Sequence, residues 1–310
     1  MLPHTAEHTA VTKASPEVLY GLIADAASWP AVFGPCVHVR YLERGPGWER
    51  FELWAMTNDE VRSWTSRREL DATARTVAFR QEHSKAPITA MTGQWSFRPH
   101  PDGTEIVLRH AFGTDGSAGS ADWVDAALDR NSHEELAALD RVAAQAGEPS
   151  DEAVFSFADT VELPGPRSAV YDFVHRADLW AERLPHVART RLDERPGDVQ
   201  LLEMTTRTQD GATHDTRSIR VCERDEWIAY KQVSPPALLL GHSGLWSFAE
   251  ENGVTRVTAR HTAVLSPEGV ARVLGPGTEP DEARAYVRDA LSRNSRTTLE
   301  HAAGHVRSSG

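Results

Sequence analysis

The chain has 310 residues, with 33 Lys+Arg against 45 Asp+Glu and a formal net charge of −12. With 40% hydrophobic and 25% charged residues it is a globular sequence, not a disordered or fibrous one, and its length suits two domains. The acidic excess argues against nucleic acid or an anionic membrane as partner, since both select a basic face.

In chain order, the first half opens with a strand over His8–Lys13 and then a helix. Ser15 stands at the N-cap, Pro16 at the first helical position, and Val18, Leu19, Leu22, Ile23 and Ala26 form an apolar stripe. After Trp29 come segments of period two: Val37–Leu42, Trp48–Met56, Val61–Leu70, Thr76–His83, Gly93–Pro99 and Thr104–Phe112. Gly-Pro-Gly, Thr-Asn-Asp and Pro-Asp-Gly turns separate strands, which predicts an antiparallel meander. Trp123, Ala127, Leu128, Leu139 and Val142 then recur near helical spacing, so a long helix over Ser120–Ala146 closes the half.

The second half repeats this order. A shift of 151 lays Trp29 on Trp180, Tyr20 on Tyr171, Gln81 on Gln232, Gly93-Gln94-Trp95-Ser96-Phe97 on Gly244-Leu245-Trp246-Ser247-Phe248, and Arg109-His110 on Arg260-His261. Later Arg130-Asn131-Ser132 matches Arg293-Asn294-Ser295 at a shift of 163, so 163 − 151 = 12 residues are inserted between Leu265 and Ala283, in a stretch read as a loop around Gly-Pro-Gly-Thr-Glu-Pro. The second half therefore has a strand over Val154–Leu163, a helix opened by Pro166 with Val170, Tyr171 and Val174 on its stripe, and a closing helix carrying Val287, Leu291, Leu299 and Val306. The fold expected is α+β: two copies of a curved antiparallel sheet on one long helix, a layout that leaves an internal cavity. The domains are taken as 1–147 and 148–310, joined near Gly147-Glu148-Pro149-Ser150. Cys36 and Cys222 stand far apart, with no redox or metal spacing, which excludes a disulfide framework and points to a reducing, cytoplasmic setting. The first residues carry no apolar signal core, and the run Ala237–Leu240 is far short of a membrane span.

Several residues are candidates for chemistry. On one strand face lie Trp64, Ser66 and Arg68, with Thr65, Arg67 and Glu69 on the other. An inward Arg in an apolar cavity must be paired, and it suits an anionic or carbonyl-rich ligand. The second half offers His214, Thr216, Arg217, Ser218 and Arg220. With a one-residue insertion placed after this segment, Thr216 matches Ser66 and Ser218 matches Arg68, so the second half lacks the inward Arg, and Arg220 is a shifted substitute. Phe79, Gln81 and His83 share a face. Trp29 and Trp180 sit at the domain mouth, whereas Trp95 and Trp246 read as core anchors or pocket walls. The matched His110 and His261 read as structural, and His242-Ser243 is discounted as a pair because neighbours on a strand point apart. No GxSxG elbow, GxGxxG, GxxxxGK[ST] or HExxH occurs, so no metal and no organic cofactor is expected.

Trp29-Pro30-x-x-Phe33, Trp64-Thr65-Ser66-Arg67-Arg68-Glu69-Leu70, Trp95-Ser96-Phe97 and Arg130-Asn131-Ser132 together resemble the aromatase/cyclases of bacterial type II polyketide synthases. The duplication, His214 to Arg220, and Lys231-Gln232-Val233-x-Pro235-Pro236-Ala237-Leu238-Leu239 resemble the didomain subgroup. The resemblance implies a START-like helix-grip fold, an acyl-carrier-bound, C9-reduced poly-β-ketone as substrate, first-ring closure between C7 and C12 with loss of water, and other synthase subunits as partners. It implies Ser66 and Arg68 as catalytic; beside them Trp29, Phe33, Trp64, Phe79, Gln81, His83, Met91, Trp95, Asn131, Trp180, His214, Thr216, Arg220 and Trp246 are taken as substrate contacts. A non-catalytic carrier of polyketide or lipid is the alternative that the same fold would serve.

Overall fold

The computed structural model describes residues 2–57, 60–146, 153–207, 211 and 213–309. The chain divides into two compact units, 1–153 and 154–310. The proposed joint at 147–150 lies outside the described residues.

The first unit runs β1 (His4–Thr12), α1 (Pro16–Ala24), a short α2 (Trp29–Val32), β2 (Cys36–Gly45), β3 (Trp48–Thr57), β4 (Glu60–Asp71), β5 (Thr76–Gln81), β6 (Ile88–His100), β7 (Gly103–Thr114) and α3 (Ser120–Ala143). Its seven strands form one antiparallel sheet in the order β1-β7-β6-β5-β4-β3-β2. The second unit repeats this with β8 (Val154–Pro164), α4 (Arg167–His175), α5 (Trp180–Arg183), β9 (Val187–Arg195), β10 (Val199–Arg207), β11 (Thr213–Glu223), β12 (Trp227–Ser234), β13 (Leu239–Glu251), β14 (Val254–Leu265), α6 (Pro267–Val273) and α7 (Pro280–Ser309). Its sheet order is β8-β14-β13-β12-β11-β10-β9, the same path. An antiparallel sheet with a long C-terminal helix, twice over, is the duplicated helix-grip arrangement expected from the sequence. No described helix is long and apolar enough to cross a membrane.

Local chemistry sets the helix starts. Ser15 accepts from the Val18 amide at 3.3 Å, with Pro16 at the first turn, as its sequence predicts. The buried stripe of α1 is Leu19, Leu22 and Ile23, and that of α3 includes Val124, Leu136, Leu139 and Val142. Several boundaries differ from the sequence reading. The first strand begins at His4, not His8, because β1 pairs with β7 along its whole length from His4↔Phe112 to Thr12↔Thr104. β6 begins at Ile88, five residues before Gly93. The 12-residue insertion is not all loop: Ser266 accepts from the Gly269 amide and Pro267 starts α6, the same Ser-Pro opening that starts α1.

The glycine of each Gly-x-Trp-Ser-Phe run is a packing requirement. Gly93 pairs across the sheet with Phe79, and Gly244 with Tyr230, and each ring lies over the bare Cα opposite. A methyl at Gly93 would overlap both the Phe79 ring and the Arg109 carbonyl oxygen. Gly93→Ala should therefore lower stability by about 1–3 kcal/mol in urea denaturation, through overpacking. Gly21→Ala, mid-helix with nothing within 4 Å of the new methyl, should be neutral or slightly stabilising.

Candidate active site

The site begins with a buried cation. β4 alternates so that Ser66 and Arg68 turn inward, and Arg68 is only 1% exposed. Burial without compensation would cost several kcal/mol, and the structure supplies a carboxylate and acceptors for four of the five N–H groups. Arg68 Nε donates to Glu49 Oε1 at 2.8 Å, Nη2 donates to Glu49 and to Ala24 O (2.7 Å), and Nη1 donates to Ile23 O (2.6 Å). Ile23 and Ala24 are the last residues of α1, whose carbonyls have no partner within the helix, so Arg68 is both the side-chain cap of α1 and a charge at its negative end. The guanidinium lies 4.6 Å from the Trp29 ring centroid and 5.2 Å from that of Phe51. Burial pulls the Arg68 pKa down and Glu49 pulls it back up. Trp29 is itself fixed, its Nε1 donating to Leu22 O at 3.2 Å. Arg67 points the other way, its guanidinium over Trp48 at 4.3 Å, on the outer face as its position predicts.

Above this clamp is a cavity of about 250 Å³. Its wall includes Trp29, Phe33, Trp64, Phe79, Met91 and Trp95, with Ser66, Arg68, Gln81 and Asn131 among its polar groups. Eleven sequence candidates are assigned to this domain, and ten line the cavity. The exception is His83: β5 ends at Gln81, the chain bends away, and His83 is exposed, so it does not share the inward face of Phe79 and Gln81. Ser66 donates to Arg80 O at 3.2 Å, and the Gln81 amide lies 3.6 Å from the Met91 sulfur.

Two further wall residues are not among the sequence candidates for chemistry, where His110 reads as structural. His110 faces Phe79 edge-on at 5.6 Å, and its Nδ1 is buried without a hydrogen-bond partner. Burial, helped by His8, lowers its pKa to about 4, so the ring is neutral near pH 7. Glu135, from α3, also lines the cavity, and burial, with a smaller push from Glu134, raises its pKa to about 7. The signal in the sequence was weak, because Glu134-Glu135 on a helix reads as a solvated acidic face.

The second domain requires a correction. Ser66 pairs with Gln81 and Ser218 with Gln232; Arg68 pairs with Phe79 and Arg220 with Tyr230. The extra residue therefore lies in the β10–β11 hairpin, before the strand, and Ser218 and Arg220 are the true counterparts of Ser66 and Arg68. Arg220 Nη2 donates to Val174 O at 2.8 Å and Nη1 to His175 O at 3.2 Å, the same clamp on the end of α4. Thr216, which then matches Trp64, is buried and donates to Met204 O at 3.4 Å; His214 is half-buried at the start of β11. Trp180 and Trp246 belong to a packed apolar cluster with Tyr171, Phe248 and Leu299. The counterpart of Glu49 is Gln200, held by His175 and Glu194, and among the described residues Arg220 forms no ion pair. Where the first domain has Met91 and Phe79, the second has His242 and Tyr230. His242 bridges Gln232 Oε1 (2.7 Å) and His261 Nδ1 (3.1 Å), and His261 Nε2 reaches Ser295 Oγ at 2.9 Å. Burial lowers the pKa of both imidazoles, that of His261 to about 4.

An aromatic cavity holding an immobilised guanidinium, a hydroxyl and a protonatable carboxyl is suited to condensing and dehydrating a flexible polycarbonyl chain. A family profile described as polyketide cyclase/dehydrase and lipid transport matches residues 12–130. The granaticin polyketide synthase bifunctional cyclase/dehydratase of Streptomyces violaceoruber is 52% identical over 97% of this chain and 93% of its own length. The actinorhodin counterpart of Streptomyces coelicolor is 47% identical over 97% and 96%. Among solved structures, the di-domain ARO/CYC BexL of the BE-7585A biosynthetic pathway superposes with a TM-score of 0.82 at 45% identity, covering 98% of each chain. The chain thus belongs to the polyketide synthase bifunctional cyclase/dehydratases, in their didomain form.

Two outcomes follow from the geometry. Glu49→Ala leaves a buried guanidinium unneutralised and should cost about 3–5 kcal/mol in chemical denaturation; Gln200→Ala, which removes only a neutral amide, should cost about 1–3 kcal/mol. Glu135 has a folded pKa above the ordinary carboxyl value of 4.5, so its contribution is neutral at low pH and becomes destabilising as pH rises from 4.5 through about 7. Glu135→Gln should accordingly stabilise the protein at pH 8, by roughly 2–3 kcal/mol, and change little at pH 4.

Proposed function

We propose that the first-domain cavity takes a C9-reduced poly-β-ketone tethered to an acyl carrier protein, joins C7 to C12, and dehydrates the new ring toward an aromatic. The convergence of Ser66, Arg68, His110 and Glu135 on one aromatic cavity carries this reading. Ring closure needs a proton taken from carbon, a new C–C bond from the resulting enolate to the carbonyl carbon, and a proton delivered to the alkoxide. Dehydration then removes a second α-proton as hydroxide leaves with a proton, as water. A carboxyl with a pKa near 7 exists in both forms at neutral pH, so Glu135 as carboxylate takes the α-proton and as acid returns it to the leaving hydroxyl. The Arg68 guanidinium, already desolvated and locked, gives a fixed positive potential for the enolate without reorganising. Four of its five N–H groups are committed to Glu49 and the end of α1, so at most one Nη1 hydrogen remains for substrate. Ser66 and the neutral His110 orient the carbonyl and hydroxyl oxygens. The aromatic walls restrict the flexible chain to few conformers, which removes much of the entropic barrier. The same reading places the protein in the cytoplasm with the other synthase subunits.

Because Arg68→Ala also strips the cap from α1, it tests folding as much as chemistry. Ser66→Ala and Glu135→Gln are the cleaner probes. In a reconstituted minimal synthase with its ketoreductase, adding the wild-type protein should convert shunt products to a first-ring aromatic. Glu135→Gln should reduce that conversion by about 10²-fold, as expected for loss of a general acid–base group, while His83→Ala leaves it unchanged. An unchanged product profile with and without the protein would show a carrier, not an enzyme.

A further inference from the structure

Outside the cavity, β1 meets α3 through three side chains that the chemistry above does not use. His8 Nε2 lies 3.2 Å from Asp129 Oδ1, and His133 Nδ1 lies 3.4 Å from the same oxygen. The three ligand atoms all fall within 4.8 Å of one another. None of these residues lines the cavity.

We propose that His8, Asp129 and His133 bind one zinc ion, which staples the first strand to the C-terminal helix of the first domain. Geometry is the first support. A tetrahedral ion with ligand bonds of ~2.1 Å sets its ligand atoms about 3.4 Å apart, and the two distances to Asp129 are already at that edge length. Only the His8–His133 edge must close, and His133, on the helix surface, does so by releasing its contact with the Asp129 carbonyl oxygen. Two imidazoles and one carboxylate are borderline-soft ligands suited to zinc, leaving the fourth position to water.

The state of His8 is the second support. Its side chain is only 9% exposed, and its Nδ1 is buried with no partner, so Nε2 is its single polar outlet, and that atom is aimed at Asp129.

The repeat supplies the third. The counterparts of His8, Asp129 and His133 are Asp159, Ser292 and Arg296. There the strand is joined to the helix by a complete ion pair: Arg296 Nε donates to Asp159 Oδ1 at 3.1 Å. In the first domain the carboxylate has moved to the helix, and no guanidinium is present in the trio. A divalent cation restores the missing positive charge at the same place in the fold. No motif marks the trio in sequence, because His8 lies 121 residues from Asp129 and only Asp129 and His133 share a helical spacing.

Zinc titrated into the metal-stripped full-length protein should bind one equivalent by calorimetry. At about hundredfold excess over Kd it should raise the first unfolding midpoint by ~5–10 °C. Cobalt in its place should give the intense visible bands of a four-coordinate site. His133→Ala and Asp129→Asn should each weaken binding at least tenfold and remove the cobalt bands; His133 is 67% exposed, so its loss leaves the fold in place. His100→Ala, at an unrelated surface histidine, should bind as wild type. Equal zinc affinity in wild type and in the double variant His8→Gln/His133→Ala would overturn the proposal, as would no binding to wild type below about 100 µM zinc.

Discussion

A buried guanidinium bonded to the open end of a helix holds each domain together. Arg68 reaches from β4 to the last carbonyls of α1, and Arg220 repeats the contact from β11 to α4. Helix carbonyls at a C-terminus need donors, and a cation there also meets the negative end of the helix dipole. The turn that follows carries Trp29 or Trp180, and the ring of each stacks near the same guanidinium. One side chain thus fixes the short helix, the position of the tryptophan and the floor of the interior. In the first domain the same charge also lines the cavity, so the group that caps the helix is part of the cavity wall.

The two interiors diverge around this shared frame. In the first, Phe79, Met91 and Trp64 leave open, largely apolar space, and Glu135 projects a carboxyl into it. In the second, Tyr230, His242 and Thr216 occupy the matched positions, and Gln232, His242, His261 and Ser295 bond to one another in series. Satisfied polar chains of this kind are rigid in a low-dielectric interior, because each member would be costly to leave unpaired. The same backbone therefore encloses a largely apolar cavity in one copy and carries a hydrogen-bonded polar cluster in the other.

The repeat, the strand faces and the Trp-Ser-Arg wall were legible in the sequence because period-two alternation and paired motifs survive duplication. The register of β11 was not. Thr216 and Ser218 are both small hydroxyl residues, so a one-residue insertion fits before or after the strand on residue type alone, and only the pairing with β12 decides. His83 was misplaced because alternation says nothing about where a strand stops. Glu135 was hidden by its neighbour Glu134, and the His8–Asp129–His133 trio by sequence distance. In each case the deciding fact is a tertiary contact, not a local propensity.

The exchange of Glu49 for Gln200 changes how freely each domain can drift. In the first, guanidinium and carboxylate neutralise each other in the dark, so neither can be replaced alone without stranding a charge. An evolutionary path through that pair must change both codons together or pass through an unstable intermediate. In the second, the arginine faces a neutral amide, and its position and that of Gln200 can vary one at a time. The domain with the buried ion pair is by this measure the more tightly frozen of the two, and its duplicate is the copy with room to explore new interiors.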